Sequence, residues 1–166
     1  MNVHAFKALL TGTILLAIVG CSGSSSDSGV SSGTFAKSID VFGVNVAGKA
    51  CVGDDTLLYA ARVMAEYLDQ DENGVADNAL LINTMKNRKA CLEMSCPGAG
   101  GALPGCQDLF TNETNPGSLP GPNAAFEEIL HVVTTQGYSY AYPGVWGETK
   151  GSTVAGFMDK ARGGYQ

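Results

Sequence analysis

Four cysteines, Cys51, Cys91, Cys96 and Cys106, constrain this chain more than any other feature. A fifth, Cys21, stands apart near the N-terminus. In an exported protein an even set of cysteines reads as disulfides, which staple a domain whose core is modest. Three pairings of the four are open. Cys106 sits among Gly and Pro, so a bridge to it would anchor that loop. A zinc site on the same four is disfavoured, because Cys91, Cys96 and Cys106 follow one another with no C-x-x-C pair. The length, 166 residues, suits one domain. Hydrophobic residues make up 45% and mean hydropathy is +0.06, which excludes a disordered polar tail. Lys and Arg number 10 against 16 Asp and Glu, a net charge of -6, so the clustered basic surface that grips nucleic acid is not expected. No internal repeat is visible.

The N-terminus explains why the cysteines can be oxidised. Lys7 precedes an apolar run from Ala8 to Val19, and no acidic residue occurs before Asp27. This is the pattern of a secretory signal, and the run is shorter than the roughly 20 residues a spanning helix needs. Ile18-Val19-Gly20-Cys21 resembles the lipobox of bacterial lipoproteins. The resemblance implies cleavage before Cys21 and acylation of its sulfur. Two or three acyl chains give stable anchoring where one is marginal. Ser22, rather than Asp, follows Cys21, which resembles the default outer-membrane address. The expected organisation is a signal over 1–20, a Ser/Gly tether over 21–34 and one folded domain over 35–166. The expected place is the cell envelope, with the membrane reached through lipid on Cys21. The alternative is an ordinary signal peptide with an incidental cysteine.

Along the folded part, Ile39, Val41, Val44 and Val46 alternate around Gly43, which predicts a short strand or hairpin over 39–47. Asp54-Asp55-Thr56 opens a helix whose stripe is Leu57, Ala61, Met64 and Leu68. Asp77 and Asn78 cap a second helix over 78–91, with Leu81, Ile82 and Met85 inward and Lys86, Arg88 and Lys89 near its end. Residues 93–122 carry five Pro and six Gly and read as one long irregular loop. A third helix over 123–136 shows Phe126, Ile129, Leu130 and Val133 at helical spacing, and a fourth follows Ser152 with Val154, Phe157, Met158 and Ala161. The fold expected is mainly α with a small β element, in an exported, disulfide-stapled domain.

Between the first two helices runs Asp69-Gln70-Asp71-Glu72-Asn73-Gly74-Val75-Ala76-Asp77. It resembles the calcium loop of EF-hands and related extracellular modules. Oxygens of Asp69, Asp71 and Asn73 would converge on a hard cation, Gly74 would make the sharp turn, Val75 would offer its carbonyl, and Asp77 would bind directly or through water. The bidentate Glu expected at the loop's last position, 80, is Leu80. Affinity should therefore fall toward the order of 0.1 to 1 mM or weaker, which suits a structural staple outside the cell. An acidic turn with Asx motifs and no ion is the competing reading.

A second motif lies on the third helix, Glu127-Glu128-Ile129-Leu130-His131. It resembles the zincin H-E-x-x-H with Glu replacing the first His. By that analogy Glu127 and His131 would bind Zn2+, Glu128 would act as general base, and Glu148 would be the candidate third ligand. The plainer alternative is a Glu–His pair on a helix flank. A third reading is a partner-binding module that uses Tyr138, Tyr140, Tyr142 and Trp146.

Taken together, AARVMAEYLDQDENGVAD, DLFTNET, AFEEILHVVTTQGY, AYPGVWGE and MDKARGGYQ resemble a little-characterised family of secreted bacterial proteins. The resemblance covers roughly 38–166 and implies no established activity. Members continue past this point, so it also implies a domain that is incomplete at its C-terminus. The reading carried forward is a non-enzymatic calcium-binding lipoprotein.

Overall fold

Alternating Ile39, Val41, Val44 and Val46 form a hairpin of β1 (Lys37–Val41) and β2 (Val44–Gly48), as the pattern predicts. Phe42 and Gly43 turn it, both at positive φ (54° and 87°), which matches the right-handed strand twist. Asp40 fixes the turn by accepting the Gly43 N–H at 2.9 Å. The computed structural model describes residues 35–99, 103, 105–116 and 123–164. Residues 1–34, with the expected signal, Cys21 and tether, lie outside the described residues.

The hairpin does not stand alone, and the mainly helical expectation is corrected here. The hairpin is half of a four-stranded mixed sheet in the order β1-β2-β3-β4. The others are β3 (Cys91–Ser95) and β4 (Cys106–Phe110), and β2–β3 and β3–β4 are parallel. Both strands fall where a helix end and a long loop were expected. The second helix, α2 (Ala79–Asn87), stops early: Lys89 adopts φ 57° and the chain turns directly into β3. The reason β3 hides from sequence reading is Glu93. An interior parallel strand should read as continuously apolar, and a carboxylate at its middle breaks the run. Glu93 is nonetheless buried, because Lys49 reaches its Oε1 at 3.2 Å and the Leu103 N–H donates to its Oε2 at 2.8 Å. Lys49 also donates to the Ala99 carbonyl at 2.6 Å, so this pair draws the segment after β3 over the sheet.

The disulfides are Cys51–Cys96 and Cys91–Cys106. Cys91 and Cys106 are direct partners in the β3–β4 register, with Cα atoms 4.5 Å apart. β3 is thus tied at its first residue and again just past its last.

One face of the sheet carries Val41, Val44, Val46, Leu92, Met94 and Leu109 into the core. Against it lie α1 (Asp54–Leu68), which contributes Leu57, Ala61, Met64 and Leu68, and α2, which contributes Leu81, Ile82 and Met85. Those stripes are the ones the spacing predicts. The third helix differs in two ways. It is α-helical as α3 (Ala125–His131), passes through a π-helical stretch over Val132–Tyr138, and closes with α4 (Ser139–Ala141). Thr134 and Thr135 each return a hydroxyl to the carbonyl four residues back, Leu130 and His131, both at 2.7 Å, which loosens the ladder there. Its buried face is Ala125, Ile129, Val132 and Val133, whereas Phe126 and Leu130 are exposed. The small Ala125 lets α3 approach α1 and β4 closely, which a phenylalanine would prevent. A short α5 (Pro143–Trp146) leads to α6 (Thr153–Ala161), capped by Ser152 accepting the Ala155 N–H at 3.1 Å. The expected stripe of α6 is not inward: none of its residues is buried, and Phe157 is 63% exposed. Among the described residues no helix is long and apolar enough to cross a membrane.

Candidate functional site

The acidic loop leaves α1 at Asp69 and enters α2 at Asn78, whose side chain accepts the Leu81 N–H at 3.0 Å. The Asp77 N–H returns to the Leu68 carbonyl at 2.9 Å, which closes the loop at its base. Within it, Asp69 accepts the Asn73 and Gly74 N–H groups, at 3.1 Å on Oδ1 and 2.8 Å on Oδ2. Asp77 accepts the Gln70 N–H at 2.9 Å. Glu72 and Gly74 take positive φ values, 55° and 83°, so the glycine stands where the chain needs a left-handed residue. One carboxylate oxygen from each of Asp69, Asp71 and Asp77 lies within 4.8 Å of the other two. Oxygens bound to one calcium at about 2.4 Å are separated by at most about 4.8 Å, so the three can share an ion. Asn73 is turned inward to the loop instead: its Nδ2 donates to Asp71 Oδ2 and its Oδ1 accepts the Val75 N–H, both at 2.8 Å. It must swing to become a ligand. Leu80 is half-exposed in the first turn of α2 and supplies no oxygen.

The Glu-Glu-x-x-His motif is arranged differently. His131 Nε2 lies 3.7 Å from Glu127 Oε1, and both side chains face solvent, at 48% and 73% exposure. Glu128 turns inward and accepts from Gln107 Nε2 at 2.6 Å, which ties α3 to β4. Among the described residues no third His, Cys, Asp or Glu joins Glu127 and His131 in a metal-sized group. Glu148 lies in the exposed stretch beyond α5, beside Ser139, Tyr140 and Pro143.

The aromatic residues pack chiefly on one another. Tyr138 stacks with Trp146 and Tyr142 at centroid distances of 5.1 and 6.1 Å, and the Tyr142 hydroxyl donates to Asn78 Oδ1 at 3.0 Å. Arg88 lies 3.2 Å over the Tyr140 ring. Tyr140 and Trp146 keep exposed faces.

Two features escaped the sequence reading. A groove of about 640 Å³ runs between α1 and α3, lined by Tyr59, Arg62, Tyr67 and Phe126. Its signal was Phe126, whose helical spacing placed it in the core. A second cavity, of about 440 Å³, is lined by Phe35, by Asn45, Cys91 and Cys106 of the sheet, and by Lys86 and Lys89 at the end of α2. The chain matches no protein-family model, no curated protein and no solved structure. The family resemblance therefore rests on the motifs alone.

Proposed function

We propose that this chain is a cell-envelope lipoprotein, held at the outer membrane through acyl chains on Cys21, whose loop from Asp69 to Asp77 binds Ca2+ in a structural role. The observation that carries the calcium reading is the mutual approach of the Asp69, Asp71 and Asp77 carboxylates within 4.8 Å. The loop is also the direct connection from α1 to α2, and both helices are anchored in the core. An ion there would fix the angle between two core elements without needing a sensor's affinity. The missing oxygen at Leu80 fits that use, since weak sites serve where calcium is abundant. Two disulfides are compatible with an exported domain. The zinc-hydrolase alternative on Glu127, Glu128 and His131 has no comparable support, because no third ligand approaches among the described residues.

Thermal unfolding tests the calcium reading. The protein is stripped with EDTA and then given millimolar Ca2+ or, separately, micromolar Zn2+. A ligand that binds only the folded state raises the midpoint. The expected result is a rise with Ca2+ that vanishes in Asp71→Ala. A rise with Zn2+ that vanishes in His131→Ala would replace this reading with the hydrolase one. Incorporation of labelled palmitate, lost in Cys21→Ala, tests the anchor.

A further inference from the structure

Asn73 brings a chemistry of its own to the acidic loop. Of the nine asparagines in the chain, only Asn73 is followed by glycine. An asparagine loses its side-chain nitrogen when the next backbone nitrogen attacks Cγ, and a side chain on that next residue stands in the way. Gly74 carries none, and the place where a Cβ would stand is open, with no atom beyond its chain neighbours within 4 Å. Both residues are exposed, so water reaches them.

Each reacting atom already has a partner. The attacking group is the Gly74 N–H, which donates to Asp69 Oδ2 at 2.8 Å. The attacked amide folds back along the chain as an Asx turn, in which Asn73 Oδ1 accepts the Val75 N–H, also at 2.8 Å. That bond polarises the amide carbonyl and would hold the charge that gathers on Oδ1 as Cγ becomes tetrahedral. The leaving nitrogen, Nδ2, donates to Asp71 Oδ2 at 2.8 Å. Asp69 is the fixed member of the set: it is buried, and its other oxygen accepts the Asn73 N–H at 3.1 Å. A carboxylate held on the N–H that must be lost is a general base in place. A residue that only made the turn would need the Val75 bond and no more.

We infer that Asn73 is a self-modification site, at which the folded loop converts its own amide to a carboxylate. The Gly74 nitrogen bonds to Asn73 Cγ while its proton passes to Asp69 Oδ2. The Cγ–Nδ2 bond then breaks, and the nitrogen takes a proton from water and leaves as ammonia. Water opens the resulting succinimide at either carbonyl and restores a carboxylate and a peptide link. One water enters and one ammonia departs, with no change of oxidation state. Opening at one carbonyl gives aspartate at 73. Opening at the other gives an isoaspartyl link, which adds a backbone carbon just before the Gly74 turn. The aspartate product places a fourth carboxylate beside Asp69, Asp71 and Asp77, without the donor Nδ2 that ties Asn73 to Asp71. Its value to a bound cation rests on the calcium reading, whereas the modification itself does not.

The test uses the full chain with its disulfides formed, in EDTA so that no ion intervenes. It is incubated in heavy-oxygen water at neutral pH and physiological temperature, beside the same chain reduced and unfolded in urea. Trypsin then frees the stretch between Arg62 and Lys86, and fragment-ion masses place the label. The expected result is heavy oxygen at Asn73, in aspartyl and isoaspartyl products, and none at Asn78 or Asn83 of the same stretch. Label should enter the folded chain at least about tenfold faster than the unfolded one, as a positioned base and oxyanion donor provide. Asp69→Asn, shown to fold by a cooperative thermal transition, should lose that gain. No label at Asn73, a folded rate no greater than the unfolded one, or a folded Asp69→Asn that keeps the native rate would each overturn the inference. The comparison of folded with unfolded chain needs no variant, so it decides the matter even where Asp69→Asn does not fold. Calcium binding is read separately from the thermal midpoint, so failure of that reading and failure of this one are distinguishable.

Discussion

Asp69 and Asp71 serve the same loop by different means. Asp69 is buried and accepts two backbone N–H groups, so it organises the turn whether or not an ion is bound. Asp71 is exposed and accepts from Asn73 alone. Asp69→Ala should therefore lower stability by about 2 kcal/mol in EDTA, by stranding two donors, whereas Asp71→Ala should cost less than about 1 kcal/mol. Urea unfolding in EDTA measures both, and equal losses would mean that the loop is not built on Asp69. Both variants should lose the response to Ca2+. Gly137 makes a different demand on its surroundings. A Cβ there would lie 2.6 Å from Leu81 Cδ1 and 3.1 Å from Met85 Cγ, both in the core. Gly137→Ala gains helix propensity worth about 1 kcal/mol, yet overpacking costs about 1 to 3 kcal/mol. The expected outcome of chemical denaturation is a net loss, and a stabilised variant would show that α2 can yield at this point.

Among the elements, those that bury one face against a neighbour close in sequence were legible. The hairpin, α1 and α2 each display their period, and the residues it selects lie in or against the core, joined there by Ala47, Ala60 and Val63, which it did not select. The elements that escaped depend on distant partners. β3 is a strand because Lys49, just past the end of β2, neutralises Glu93, and because two disulfides fix its ends. No local pattern encodes that. The inward face of α3 was misplaced for a related reason: a helix that must approach closely chooses Ala125 over Phe126, and hydrophobicity alone prefers the larger residue. Of the candidate site, the aspartates and the glycine were legible as a spacing, whereas Asn73's inward turn was not. The Glu93–Lys49 pair invites a double-mutant test. Glu93→Ala leaves a largely buried ammonium unpaired and should cost about 3 to 5 kcal/mol, while Glu93→Leu with Lys49→Met should recover much of it. Thermal midpoints of the wild type, Glu93→Leu, Lys49→Met and the double variant decide this, and additive losses of the two single changes would deny the coupling.

At the scale of the whole molecule, stability comes from a small core and covalent ties. The disulfides close loops with sequence separations of 45 and 15. By loop entropy these contribute about 4 and 3 kcal/mol, a large share of the 5 to 15 kcal/mol typical of a domain. Calcium adds less. At a free concentration about five times the dissociation constant its contribution is near 1 kcal/mol, so the midpoint should rise by only about 4 °C for a domain of this size. A shift of 15 °C would mean a far tighter site than a loop ending in Leu80 can make. The two ties also govern what a protease can do to this protein. Cys51 is joined to Cys96 and Cys91 to Cys106, so the bridged spans overlap. Cleavage of any one peptide bond between Cys51 and Cys106, the acidic loop included, leaves both pieces covalently attached. Only a cut before Cys51 or beyond Cys106 releases a separate fragment. Limited proteolysis should therefore give bands on reducing gels that merge into one full-length band without reductant, except those from cuts before Cys51 or after Cys106. A chain wired this way can be nicked once anywhere across its centre and still hold together.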